Sequence, residues 1–356
     1  MSDHLSVNSS PSAAVIPKFY NAALDLLSRH ATRSGKAAYI DSTTGETLSY
    51  GQLEDQAHRF AQGLLEAGFQ QEQRVLLCMH DSLQWPVVFL GCILAGVVPV
   101  AANTLLTPKD YEFMLQDSRA HGLLVSEALW PQFADIISAA PACQQVFVDS
   151  DGSPQHGQSI AHVIQSNQRL AQCATTLADD VCFWLYSSGS TGSPKGTLHL
   201  HSHIIHTAEL YGRGVLGLHE NDVVFSAAKL FFAYGLGNAL SFPLAQGATT
   251  VLLGKRATPG DVFHLLKTYK PTVFYGVPTL FASLLADADR PAAQDLNLRV
   301  CTSAGEALPA EIGKRWQAEF GVEILDGIGS TEMLHIFLSN QPGRVRYGST
   351  GHPVPG

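Results

Sequence analysis

The sequence predicts an α/β protein: two packed α/β subdomains with mostly parallel sheets covered by helices. Three observations carry that prediction. Short apolar runs of strand character alternate with segments of helical period along the chain, the pattern of βα units whose strands are buried on both faces. With 356 residues, 46% of them hydrophobic and 15% charged, the chain has apolar material for more than one packed lobe. A polar, turn-rich stretch at 149–158 reads as a surface loop near a lobe boundary. The expected subdomains are residues 1–175 and 176–356.

Residues 1–15 are small and polar and read as a loose tail. Ser49 and Gln52 have the spacing of a capping box. Leu53, Ala57, Phe60, Ala61 and Leu64 follow at helical period, and Gly68 supplies a stop. Residues 74–79 form a short apolar strand. Residues 85–102 are an unbroken apolar run, close to the ~20 residues a membrane-spanning helix needs. Pro86, Gly91, Gly96 and Pro99 interrupt it, so it reads as a buried helix over 85–95, a turn at Gly96 and a buried strand. Thr107 and Pro108 open another helix, with proline where its missing N–H costs nothing. Strands are predicted at 122–125, 145–148, 181–186, 196–200, 223–228, 248–253, 272–275, 299–303 and 322–325. Helices are predicted over 261–270 and 309–320, and there is no fixed-period repeat.

Net charge is −9, with no block of like charges. That argues against nucleic acid or an anionic membrane as the main partner. It leaves a nucleotide open, because a few backbone amides and one lysine can hold a triphosphate. Six cysteines occur without a CxxC pair, several inside apolar runs. With no secretory leader evident, a cytoplasmic protein is expected. The last residues, Gly351-His352-Pro353-Val354-Pro355-Gly356, form a turn sequence that should lead into something further.

The strongest local signal is Tyr186-Ser187-Ser188-Gly189-Ser190-Thr191-Gly192-Ser193-Pro194-Lys195-Gly196, directly after the apolar run 181–185. Its glycines let the backbone wrap a phosphate, its hydroxyls add donors and Lys195 adds a charge. It is not a Walker A loop, because Pro194 stands where that motif needs its second glycine. A plain Ser/Gly surface turn would not need a buried strand before it or a lysine inside it.

This segment resembles the signature phosphate loop of the adenylate-forming superfamily, which includes acyl-CoA synthetases, peptide-synthetase adenylation domains and luciferases. Three further segments resemble later motifs of that superfamily, in the right order. They are Thr302-Ser303-Ala304-Gly305-Glu306-Ala307-Leu308-Pro309, Asp326-Gly327-Ile328-Gly329-Ser330-Thr331-Glu332, and the run 348–356. Upstream, 90–100 and Asn103-Thr104-Leu105 resemble its N-terminal pattern. The resemblance implies ATP, Mg²⁺ and coenzyme A. It implies that Ser187, Ser190, Thr191, Gly192 and Lys195 hold the β- and γ-phosphates. Gly305, Glu306 and Ala307 would flank the adenine, with the backbone near Asp326 and Gly327 reading its amino edge. Thr331 would meet the α-phosphate, and Glu332 would bind Mg²⁺. Thr331, Glu332 and Lys195 are thus the expected catalytic residues. Ile328 departs from the pattern, since many relatives carry Tyr or Trp there. The resemblance also implies a small C-terminal lid domain, absent here, with a ribose-binding acidic residue and an adenylation lysine beyond Gly356. By itself the chain is therefore expected to adenylate poorly.

Within the superfamily, the run 229–238 and Glu332-Met333-Leu334-His335-Ile336-Phe337 look like the aryl branch, the CoA ligases of benzoate and 4-hydroxybenzoate. So do His199-Leu200-His201 and the run 207–213. A flat apolar acid needs a slot with few polar atoms. Ala233, Tyr234, Gly235, Gly327, His335 and Ile336 are the expected lining, and His335 could meet the acid's carboxylate only if protonated or suitably tautomeric. An aminobenzoate or cinnamate-type acid, or a binding-only fragment, remains an alternative, and so do a monomer and a homodimer. His199, His201 and His203 alternate as on one strand face, which suggests a metal. The cluster holds no Cys, Asp or Glu to complete such a site, so histidines that are partly buried or that support the site from behind are the expectation.

Overall fold

The computed structural model describes residues 15–150, 152–187 and 194–356. The tail at 1–14 and, within the phosphate loop, Ser190, Thr191 and Gly192 lie outside the described residues. The strands, in chain order, begin with β1 (Ala37–Asp41), β2 (Thr47–Ser49), β3 (Arg74–Cys78), β4 (Val98–Ala101), β5 (Gly122–Ser126) and β6 (Gln145–Asp149). They continue with β7 (Gln158–Ser159), β8 (Val181–Ser187), β9 (Lys195–Leu200), β10 (Val223–Ser226) and β11 (Thr249–Leu252). The last are β12 (Val273–Gly276), β13 (Val300–Ser303), β14 (Ile324–Gly329), β15 (Ile336–Ser339) and β16 (His352–Pro353).

Among the described residues they form two sheets. The seven-stranded sheet has the order β7-β6-β5-β3-β4-β8-β9, and the nine-stranded sheet has β16-β15-β14-β13-β12-β10-β11-β1-β2. Central neighbours run parallel. The antiparallel pairs sit toward the edges: β8 with β9, β1 with β2, and the β14-β15-β16 meander. Buried apolar strands and helical crossovers produce this architecture, as the alternation predicted.

The expected boundary at 175/176 does not separate the sheets. The hairpin β1–β2 comes from the first half of the chain yet completes the nine-stranded sheet, with Tyr39 opposite Thr250. The hairpin β8–β9 comes from the second half and completes the other sheet, with Val100 opposite Trp184. The polar stretch at 149–158 joins β6 to β7, neighbours within one sheet. Turn chemistry reports a loop; it does not report which sheet the next strand joins. One core cluster joins both sheets, from Val75 and Leu77 on β3 to Val224 on β10 and Leu325 on β14.

The helix Tyr50–Glu66 begins at the predicted capping box. The Gln52 amide donates to Ser49 Oγ (3.2 Å) and the Ser49 amide donates to Gln52 Oε1 (2.8 Å). The apolar run resolves into the helix Gln84–Leu94, a left-handed turn at Gly96 (φ 75°) and β4. A Cβ on Gly91 would lie 2.9 Å from the Ala57 carbonyl oxygen, so a glycine is what lets these two helices meet. Among the described residues no helix is long and apolar enough to cross a membrane.

Candidate active site

The predicted phosphate-loop segment lies between the paired strands β8 and β9. Ser187 ends β8, Lys195 begins β9, and the two are register partners. Lys195 is exposed on the edge strand. Further along β9, His199 is fully buried and stacks on Phe183, ring centroids 4.9 Å apart. Burial drives its pKa down to about 4, against the pull of the Thr331 backbone and the Glu332 carboxylate beside it. His199 thus faces the Thr331–Glu332 turn of the other sheet.

That turn grows out of β14. The strand runs through Asp326, Gly327 and Ile328 to Gly329, four residues beyond the predicted end, and folds back as β15. Between them the Met333 amide donates to Ser330 Oγ (3.2 Å) and the Leu334 amide donates to the Thr331 carbonyl (3.0 Å). Leu334 takes a left-handed conformation (φ 64°) that closes the turn, with its side chain buried. Glu332 and Met333 are left exposed, and Glu332 meets no cation among the described residues.

A cavity of about 830 Å³ opens beside this turn, within the range of small-molecule sites. Ala233, Tyr234, His335 and Ile336 line it, and so do Gly305, Gly329, Ser330 and Thr331. Gly235 and Gly327, expected in the lining, stand behind the wall. A Cβ on Gly235 would lie 2.0 Å from the Lys229 carbonyl oxygen, and one on Gly327 would lie 2.8 Å from Ile336 Cγ2. Their work is to let the wall residues close up. Glu306 and Ala307 are exposed next to Gly305. Asp326 is buried beneath that segment, its Oδ2 accepting from the Leu308 amide (3.4 Å). Burial pushes its carboxyl up to about 6, against the hydrogen bonds from Leu308 and Gly327.

Tyr234 is fixed by its hydroxyl, 2.6 Å from Thr302 Oγ1 on β13 and 3.3 Å from the Gly276 carbonyl on β12. His335 is fixed by its ring. Its Nε2 lies 3.0 Å from Asn238 Oδ1 and 3.3 Å from the Tyr234 carbonyl, both acceptors, so Nε2 carries the proton. Phe242, Tyr211 and Tyr234 surround the ring at 4.5, 5.1 and 5.5 Å. Burial drives its pKa down to about 3. Burial thus disfavours the charged imidazole, and Nδ1 has no hydrogen-bond partner among the described residues. The ring serves the cavity as a flat wall whose apolar surroundings oppose a cation there.

Sequence reading missed the opposite wall: Arg256, Ala257, Thr258, Pro259, Val277, Leu280 and Ser283. No local motif flags these residues, because they come from two separate loops and helix starts. The histidine cluster also differs from expectation. β9 ends at Leu200, so His201, His203 and His206 lie on the helix His201–Thr207 and not on a strand face. His201 Nδ1 instead accepts the Ala22 amide (3.1 Å), and His203 Nδ1 accepts the Leu200 amide (3.3 Å). Among the described residues no group of three or more His, Cys, Asp or Glu could hold a metal ion.

A Gly-Ser-Thr-Glu turn beside an apolar cavity, with the Ser187–Lys195 pair on the neighbouring sheet, matches a known class. Residues 27–356 match the AMP-binding enzyme family, and the chain belongs to it. It is 53% identical to the benzoate–CoA ligase of Thauera aromatica, over 100% of this chain and 67% of that protein. It is 44% identical to a 4-hydroxybenzoate–CoA/benzoate–CoA ligase of Rhodopseudomonas palustris, over 95% of this chain and 62% of that protein. Among solved structures, a benzoate CoA ligase from Burkholderia xenovorans LB400 superposes with a TM-score of 0.89 at 52% identity, covering 95% of this chain and 66% of that one. An anthranilate CoA ligase in complex with anthranoyl-AMP gives 0.91 at 37% identity, covering 95% and 65%. The chain thus spans two thirds or less of most of these proteins' length.

Proposed function

We propose that this chain is the acid- and nucleotide-binding part of a ligase that activates an aryl carboxylic acid, benzoate or a close analogue, with ATP and passes it to coenzyme A. The observation that carries the reading is a mostly apolar cavity, walled by Tyr234, His335 and Ile336, that opens directly onto Thr331. A ring fits between those walls. Its carboxylate then points at the Thr331–Glu332 turn and not at His335, which offers no positive charge.

In the first half-reaction a carboxylate oxygen attacks the α-phosphorus of ATP, and pyrophosphate leaves with the electrons of the broken P–O bond. In the second the thiolate sulfur of coenzyme A attacks the acyl carbon, and AMP leaves. Charge accumulates on phosphate oxygens, so the protein's part is positioning and electrostatic stabilisation. Ser187 and Lys195, with Ser190, Thr191 and Gly192, hold the β- and γ-phosphates. Thr331 donates to the α-phosphate, and Gly305, Glu306 and Ala307 flank the adenine. Mg²⁺ needs one or two carboxylates beside the phosphates; Glu332, exposed next to Thr331 and without an ion-pair partner among the described residues, fits that demand. When bound, the ion neutralises phosphate charge. We place the protein in the cytoplasm, a reading that its six unpaired cysteines support.

The test is thermal melting of the purified chain with benzoate, 4-hydroxybenzoate, cinnamate and octanoate, each with and without ATP and Mg²⁺. Ligand that binds only the native state raises the melting point. Shifts confined to benzoate-sized acids support the aryl reading, and a shift with octanoate but not benzoate overturns it. Pyrophosphate exchange then separates turnover from binding alone.

A further inference from the structure

Among the described residues an ion pair of buried Asp81 with half-buried Lys229 joins the two sheets at this cavity. Asp81 follows β3 of the seven-stranded sheet and is 5% exposed. Lys229 follows β10 of the nine-stranded sheet and lines the cavity. Lys229 Nζ stands 3.9 Å from Asp81 Oδ2, an electrostatic contact too long for a hydrogen bond. Asp81 Oδ1 accepts the Leu230 amide at 3.1 Å, so one carboxylate holds both the ammonium and the backbone that follows it.

The ammonium is also tied on its far side. Lys229 Nζ donates to the Leu253 carbonyl and, at 2.7 Å, to the Lys255 carbonyl. Those carbonyls lead directly into Arg256, Ala257, Thr258 and Pro259, one wall of the cavity. Lys229 itself begins the segment that supplies the other wall through Phe232, Ala233 and Tyr234. Gly235 packs against the Lys229 carbonyl from behind, which fixes the backbone of that segment. Burial pushes the Asp81 carboxyl up to about 6 and lowers the Lys229 pKa, each against the pull of the other. Charges buried at such cost are weak candidates for stability alone and stronger ones for specifying a geometry.

We propose that Lys229, anchored by Asp81, is a positioning residue that ties the two walls of the acid cavity together and so holds the slot to the width of a flat aryl acid. This rests on the aryl-acid reading above. The neighbouring Ile336, Tyr234 and His335 set the faces of the slot; Lys229 sets the separation of its sides. A wider slot admits longer acids and holds benzoate less well.

The experiment compares the unaltered chain with Lys229→Met, which keeps stem length and removes all donors, and Asp81→Asn, which keeps an acceptor for Leu230 and removes the charge. Dissociation constants for benzoate, cinnamate and ATP with Mg²⁺ are measured by calorimetry. In Lys229→Met benzoate affinity falls about tenfold, the scale of one lost charge-assisted hydrogen bond, while cinnamate affinity holds or rises and ATP affinity is unchanged. Asp81→Asn moves the same way by a smaller factor. A purely structural role would lower all three affinities together, and that outcome, or unchanged selectivity, overturns the inference. Amide exchange is read alongside: faster exchange in both walls, 229–236 and 253–259, supports the tie, and faster exchange in only one overturns it. Should Lys229→Met not fold, Lys229→Gln is read in its place. No benzoate binding by the unaltered chain would instead overturn the aryl-acid reading, while the exchange result still judges the tie.

Discussion

Buried titratable side chains govern how this protein responds to acid. Burial drives His30, His199 and His201 down to about 4 and His335 down to about 3. The unfolded chain takes up those protons near pH 6.5, so their stabilising effect is complete above that pH and is lost as pH falls toward 4. Asp81 and Asp326 act in the opposite sense. Their carboxyls are raised to about 6, so their contribution is complete below about 4 and is lost as pH rises through 6. Between pH 5 and 6 the histidines win by about two protons, and stability should fall by roughly 3 kcal/mol per pH unit on acidification. Urea midpoints at pH 6 and pH 5 measure this, and a midpoint that rises at pH 5 would contradict it. Tyr234→Phe is a second residue-scale prediction. The lost hydroxyl strands fully buried Thr302, at a cost of about 1 kcal/mol. The ring stays, so the melting shift produced by benzoate should survive.

Elements, in turn, are positioned by a few close backbone approaches. Gly235 is the clearest: any Cβ there collides with the Lys229 and Ala228 carbonyls, at 2.0 and 2.6 Å. Gly235→Ala should cost about 1–3 kcal/mol through forced backbone movement and should displace Ala233 and Tyr234 from the cavity wall. Denaturant titration reads the first effect, and benzoate binding reads the second. Element boundaries at the site were partly legible in the sequence. The capping box at Ser49, the proline start at Pro108 and the break at Gly96 all carry local signals, and each appears where that signal lies. The predicted strand 196–200 ends where β9 does, but the turn of the histidine cluster from strand to helix beyond Leu200 carried no local signal. The extension of β14 to Gly329 was equally silent, because its partner β15 lies across a turn closed by a left-handed leucine, a conformation that leucine does not advertise.

At the scale of the whole molecule, the two sheets exchange hairpins. β1–β2 crosses from the first half of the chain and β8–β9 returns from the second. Residues 1–175 alone therefore lack the strands that close their sheet, and residues 176–356 lack β1 and β2. Expressed separately, each half should fail to give a cooperative unfolding transition; co-expressed, they should recover one. A half that melts cooperatively by itself would show that the hairpin exchange is dispensable. The pair Arg299–Asp222 adds to this cohesion. Its bidentate contacts, 2.8 and 2.7 Å, tie the start of β13 to the turn before β10.

The sequence by itself determined the fold class and the order of the motifs along the chain, because periodicity, caps and glycine-rich turns are written into neighbouring positions. Only the tertiary structure decided which sheet each hairpin joins, that burial disfavours a charged His335, that Gly235 and Gly327 stand behind the wall, and that Lys229 spans the cavity's two sides. Those properties depend on burial and on contacts between residues far apart in the chain, such as Asp81 and Lys229, and no local pattern encodes them.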